Sequence, residues 1–149
     1  MRIFEIVPRL YQSVTPVDDD DRSFTDQEGR PVRITAVVDL EGSIDPNIPM
    51  EDLGDVYLYW PIEDKRRMVD EETVRAIAGF TNRLMEGGHN VLVHCHSGLN
   101  RASLITGRAL VARGMDPQDA VDLLRERRSP DCLNNRVFLD WLLGEKPGP

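Results

Sequence analysis

The stretch VLVHCHSGLNRASLITGRAL, residues 91–110, decides how the chain is read. Its first five residues form a short apolar run with the length and β-branched content of a buried strand. The run breaks at Ser97-Gly98, and an apolar pattern resumes as a helix from about Arg101 to Ala112. Strand, tight turn and helix in that order put residues 95–101 at the carboxyl end of a strand and the amino end of a helix. In sheets of parallel strands, ligands bind at such ends.

The loop reads His94-Cys95-His96-Ser97-Gly98-Leu99-Asn100-Arg101. A cysteine with an arginine six positions later says little alone. The strand before it, the glycine within it and the helix after it give it a chemistry. Consecutive backbone N–H groups form a concave nest for an anion, and the helix starting near Arg101 aims its positive end at the same point. His96, Ser97, Gly98, Leu99 and Asn100 are therefore the anion-binding candidates. Gly98 permits backbone angles that a side chain resists. Arg101 offers a planar fork for two phosphate oxygens. Cys95, beneath the bound phosphorus and favoured as thiolate by the same N–H groups, is placed for in-line attack. The plainer alternative for Cys95 is a small core hydrophobe. His94 is expected to hydrogen-bond backbone near the cysteine and shape the loop; His96 is expected to be partly exposed.

Outward from the loop, strand and helix patterns alternate. Residues 34–40 (ITAVVDL) and 56–60 (VYLYW) read as strands, the second stopped by Pro61, and residues 3–12 as a strand or hairpin interrupted by Pro8. A helix is expected from about Asp70 to Glu86, with Val74, Ile77, Ala78, Leu84 and Met85 on one face and Gly87-Gly88 ending it. Asp116-Pro117 supplies an N-cap and first helical residue for a helix to about Arg128, and a last helix runs from about Arg136 to Leu143. The expected fold is a single α/β domain, residues 1–143, whose mostly parallel central sheet is flanked by helices on both faces. Residues 16–32, with Asp18 to Asp21 in a row, read as an acidic solvated loop, and residues 144–149 as a flexible, frayed tail.

Composition narrows the function. The chain has 149 residues, 40% hydrophobic and 30% charged, with a net charge of −8. An acidic balance disfavours general nucleic-acid binding and attachment to acidic membranes. No run reaches the ~18 apolar residues of a membrane span, and the N-terminus lacks the pattern of a secretory signal. A cytoplasmic location is expected. Cys95 and Cys132 are the two cysteines. They make no disulfide scaffold and no zinc-ligand spacing, so no metal and no cofactor are expected. Cys132 reads as an inert packed thiol.

The loop resembles the His-Cys-x5-Arg signature of the cysteine-dependent protein-tyrosine phosphatase superfamily. Its flanks, VLVHC before and SLITGRAL after, resemble the dual-specificity branch, and the resemblance spans roughly residues 33–142. It implies hydrolysis of phosphotyrosine, and of phosphoserine or phosphothreonine, in proteins through a cysteinyl-phosphate, with Cys95 as nucleophile and Arg101 as phosphate clamp. It also implies a general acid after the preceding strand. In YLYWPIED, Asp64 matches that position and Glu63 is the fallback; spacing alone leaves Asp64 as one of many carboxylates. In PDCLNNRVF, Asn135 matches an asparagine that braces the phosphate loop, with Asn134 as the alternative; a plain helix cap is the competing reading. One departure stands out. The family carries Ser or Thr directly after the arginine, where this chain has Ala102, with the hydroxyl one residue later at Ser103. Breakdown of the phosphoenzyme is then slow unless Ser97 compensates. Other readings of the same motif are an RNA 5′-triphosphatase, a phosphoinositide phosphatase, or a non-catalytic phosphate-binding protein. The expected partner is a phosphoprotein or phosphopeptide, and the expected state a monomer.

Overall fold

The computed structural model describes residues 1–15, 24–42 and 53–149. The acidic run at Asp18 to Asp21 lies outside the described residues. The chain begins with a hairpin, β1 (Phe4–Val7) and β2 (Leu10–Ser13), turned at Pro8-Arg9 with Arg9 at φ 73. A two-residue pair, β3 (Phe24–Thr25) and β4 (Pro31–Val32), forms a separate small hairpin. Then come β5 (Ala36–Asp39), β6 (Val56–Tyr59), α1 (Glu71–Glu86), β7 (Val91–His94), α2 (Arg101–Ala112), α3 (Pro117–Arg127) and α4 (Arg136–Leu143).

The main sheet has the order β1-β2-β7-β5-β6. β1 and β2 are antiparallel; β2–β7, β7–β5 and β5–β6 are parallel. β7, the strand that leads into the cysteine loop, is therefore central. Its four residues are all fully buried, as its continuous apolar run requires.

Side chains alternate across the sheet, and the two faces have different covers. Leu10, Ala36, Val38, Leu40, Val91 and Val93 face the helices, where they meet Val74 and Ile77 of α1, Leu104 and Ile105 of α2, Val121 and Leu124 of α3, and Phe138 and Leu142 of α4. Tyr11, Val37 and Leu92 face the other way and join Ile3 and Ile34 under Phe24, Val32 and Tyr57. The single α/β domain with a mostly parallel sheet stands as expected, but helices on both faces do not. Among the described residues every helix packs on one face, and the β3–β4 hairpin covers the second. Apolar residues on both sides of a strand demand two covers, and a short hairpin suffices for the smaller cluster.

α2 is the hub of the helical layer, with every residue from Ala102 to Val111 buried. Gly107 makes this possible: a Cβ there would stand 2.6 Å from Leu142 Cδ2, so α4 closes onto α2 only across a glycine. Asp116 caps α3 as its sequence implies, accepting the Gln118 N–H with Pro117 in the first turn. Residues 144–149 depart from a frayed tail. Glu145 accepts hydrogen bonds from Arg75 Nε (2.8 Å) and Arg108 Nε (2.9 Å), and the Gly148 N–H donates to the Val111 carbonyl at 2.9 Å. A carboxylate shared by two guanidinium groups, one of them buried, ties this segment to α1 and α2.

Candidate active site

The loop leaves β7 at Cys95, the middle of the sheet, and enters α2 at Arg101. Each of its carbonyls has an outward partner. Cys95 O accepts Thr15 Oγ1–H (3.2 Å), and His96 O accepts the Thr15 N–H (3.4 Å). Ser97 O accepts Arg128 Nη2–H (3.0 Å), and Gly98 O accepts Gln12 Nε2–H (2.9 Å). Leu99 O accepts the Leu133 N–H (2.9 Å), and Asn100 O accepts the Leu104 N–H (2.9 Å) in the first turn of α2. With the carbonyls drawn outward, the N–H groups of His96 to Asn100 take no partner among the described residues. Such a row of unpaired donors at a helix N-terminus is an anion cradle.

Gly98 is indispensable to that shape. Its φ is +65, and a Cβ there would lie 2.4 Å from Ser13 O and 2.6 Å from Ser13 C. The loop thus rests directly on the end of β2, backbone against backbone.

Cys95 is 2% exposed. Among the described residues the Ala102 N–H, at 3.4 Å, is the donor that meets Sγ, and no hydroxyl does. Ser103 does not fill the gap left by Ala102. It is fully buried, its Oγ accepts Gln12 Nε2–H at 2.8 Å, and it hydrogen-bonds Cys132. Burial pushes the Cys132 thiol up, against partial relief from Ser103, which suits an unreactive packed sulfur. Ser97 and His96 are exposed at the loop's outer side, and Leu99 is half-buried.

Arg101 Nη1 donates to Ile62 O (3.0 Å) and Leu40 O (3.4 Å), the backbone just past β6 and β5. Its Nε is buried with no hydrogen-bond partner among the described residues. One end of the guanidinium is anchored, and a donor is left for an oxyanion.

Asp64 is brought to the loop by asparagines. Oδ2 accepts Asn100 Nδ2–H at 2.9 Å and Oδ1 accepts Asn135 Nδ2–H at 2.7 Å. Asn135 is the N-cap of α4 and also meets Asp64 and the loop residue Asn100. Its Oδ1 caps α4 by accepting the Val137 and Phe138 N–H groups, while its amide also reaches Lys65 O (2.9 Å) and its own N–H donates to Asn100 Oδ1 (2.9 Å). Asn134 joins through Asn100 Nδ2 at 2.7 Å. Glu63 stands apart: it pairs with Lys65 and Arg67 on the solvent side, and these cations hold its carboxyl below the usual range.

His94 is fully buried on the hairpin face, with Nε2 3.7 Å from Asp39 Oδ1. Asp39 in turn accepts the Tyr57 hydroxyl and the Glu41 N–H. Among the described residues no group of three or more His, Cys, Asp and Glu side chains is placed to hold a metal ion. Sequence reasoning passed over Gln12, Thr15, Arg128 and Leu133, all of which bind loop carbonyls. For Gln12 a signal existed: it is a polar residue two positions after Leu10, on the same face of the strand.

Fold and loop together define a class, the α/β phosphatase domains built around a cysteine-containing anion loop. The chain belongs to the dual-specificity phosphatase family: the family model for "Dual specificity phosphatase, catalytic domain" matches residues 22–146. Among curated proteins it is similar to mouse protein tyrosine phosphatase type IVA 3, 32% identical over 84 residues (54% of this chain, 47% of the relative). It is also similar to protein tyrosine phosphatase PRL-1 of Trypanosoma cruzi, 45% identical over 58 residues (38% and 32%). The chain thus spans half or less of the length of these two relatives. Solved structures with the same fold include DUSP15 (TM-score 0.75, 22% identity, 95% of this chain and 85% of that one) and human DUSP28 (TM-score 0.74, 18% identity, 94% and 89%). Among the described residues no helix is long and apolar enough to cross a membrane.

Proposed function

We propose that this domain hydrolyses phosphomonoesters of tyrosine, and of serine and threonine, in phosphoproteins. The supporting observation is the outward anchoring of every carbonyl from Cys95 to Asn100, which leaves the N–H groups of His96 to Asn100 without a partner among the described residues, in the loop that follows Cys95. Three phosphoryl oxygens would take those donors and the free edge of Arg101. Cys95 Sγ then attacks phosphorus as the ester P–O bond breaks, and Asp64 gives its proton to the leaving oxygen. Each Asp64 oxygen accepts an amide hydrogen and keeps a second lone pair for that proton. Water next gives a proton to Asp64 as its oxygen attacks the phosphocysteine, the P–S bond breaks, inorganic phosphate leaves, and the thiolate and the protonated acid are restored. In this reading the domain works as a cytoplasmic monomer, without a metal, a cofactor or nucleic acid.

The test is turnover of p-nitrophenyl phosphate in EDTA by the wild type and by Cys95→Ser. A panel of phosphopeptides, triphosphate-ended RNA and phosphoinositides follows. Turnover by the wild type, none by Cys95→Ser, and preference for phosphopeptides are expected. Equal turnover by Cys95→Ser would overturn the covalent route, and preference for RNA or lipid would overturn the substrate.

A further inference from the structure

We infer that Gln12 is a positioning residue of the anion loop, holding the Gly98 carbonyl away from the bound oxyanion; this rests on residues 95–101 being that loop. Gln12 lies on β2, parallel and adjacent to β7, and is fully buried. Its Nε2 donates at 2.9 Å to Gly98 O, the middle of the loop, and at 2.8 Å to Ser103 Oγ, the first turn of α2. One amide nitrogen therefore fastens the loop to the helix whose N-terminus completes the cradle.

Gly98 is the residue whose peptide most needs such a hold. At φ +65 it sits in the left-handed region, pressed on the Ser13 backbone. If its peptide rotated, the carbonyl would enter the cradle and the next N–H would leave it. A carbonyl there repels an oxyanion, so the cost would fall on anion binding as well as on stability. The other loop carbonyls are held by Thr15, Arg128, Leu133 and Leu104. Among the described residues, Gly98 O has only Gln12.

The plainer reading is that Gln12 fills core space. Its own Oε1 argues otherwise, since it is buried and takes no hydrogen-bond partner among the described residues. A buried acceptor left unpaired is destabilising, and the neighbouring core-facing position on the same strand is a leucine, Leu10. A methionine or leucine would fill the volume without that penalty. What the glutamine adds is the Nε2 donor.

The experiment uses Gln12→Met and Gln12→Glu, with inorganic phosphate as competitive inhibitor of p-nitrophenyl phosphate and melting temperature as the check on folding. Gln12→Met is expected to fold and to weaken phosphate inhibition about tenfold, from the unpaired carbonyl. Gln12→Glu can donate only while protonated, and burial favours that form. Its phosphate inhibition relative to wild type should be near normal at pH 5 and weaken about tenfold as pH rises and the proton leaves. A purely structural role does not give a ratio that follows that titration. A folded Gln12→Met with phosphate inhibition within twofold of wild type, or a Gln12→Glu ratio flat across pH, overturns the inference while leaving the loop assignment intact. Loss of folding in both variants overturns it in favour of packing. Failure of phosphate to inhibit the wild type overturns the loop assignment, and the inference with it.

Discussion

Replacing Asn135 by serine separates its two tasks. Serine is a good N-cap, so the bonds to the Val137 and Phe138 N–H groups survive in kind. The shorter side chain cannot reach Asp64 Oδ1 or Lys65 O, which Asn135 Nδ2 meets at 2.7 and 2.9 Å. Asp64 carries the proton it will give, so each of these two bonds joins neutral groups and contributes about 0.5–1.5 kcal/mol. Part of this returns as water solvates the freed groups, and Asn100 still holds the other Asp64 oxygen at 2.9 Å. A net loss of about 1–2 kcal/mol in positioning the acid corresponds to a fall of roughly five- to thirtyfold in turnover. The fall should appear only where the leaving group needs a proton. The assay compares kcat for an alkyl or serine phosphate with kcat for p-nitrophenyl phosphate, whose leaving group departs without help. The expected result is a five- to thirtyfold loss (about) on the first and less than threefold (about) on the second. Equal losses on both would mean that Asn135 shapes the anion loop and does not position the acid. No loss on either would mean that Asn100 alone suffices.

The remaining expectations follow from the same geometry. Asp64→Asn should lower turnover of alkyl and peptide phosphates about a hundredfold or more and flatten the basic limb of the pH–rate profile; if Glu63→Gln does this instead, the acid is the neighbouring residue. Ala102→Ser should restore a hydroxyl beside Sγ and speed breakdown of the phosphoenzyme, seen in rapid quench as a smaller burst and a faster steady state; an unchanged burst would show the substitution silent. Glu145→Gln should lower the melting temperature near neutral pH. The Glu145 carboxyl is held below its ordinary range, first by the Arg75 hydrogen bond and also by Arg108, so its stabilisation is present above the unfolded value and is lost as pH falls through the folded one. Wild type and variant should therefore converge in acid, and a constant difference down to pH 2 would contradict the ion-pair origin.

What could be read in the sequence was what is local. The strand, glycine turn and helix of residues 91–112 are contiguous, and periodicity alone locates them. Asn135 was legible as a cap, because capping is a contact with residues two and three positions away. Its reach to Asp64 spans 71 positions, and neither local pattern nor resemblance pointed to it; the resemblance implied a brace for the phosphate loop. Gln12 illustrates the limit. Its partner Gly98 is 86 residues away, and nothing in LYQS says that this strand will lie beside β7. The covering of the sheet was misjudged for a related reason. ITAVVDL shows that both faces are apolar, but the identity of each cover is set by the chain's path, which a strand's own pattern does not encode.

The loop's carbonyls are anchored by segments from nearly the whole length of the chain: Gln12 and Thr15 near one end, Arg128 and Leu133 near the other. This has a consequence for how the molecule comes into being. The hydrogen bonds of α2 are short-range and can form early, whereas β7 has its ladder partners in β2 and β5, far away in the chain. The anion cradle cannot form early, because its shape depends on loop closures that are among the slower events of folding. A chain emerging from the ribosome has its cysteine in place some forty residues before Leu133 and Asn135 follow. During that interval the thiol is present without a finished pocket around it. The finished shape of the loop is then one of the last features the domain acquires, and an oxyanion that bound there, by favouring the closed arrangement, would draw the segments of Gln12 and Leu133 to the same centre.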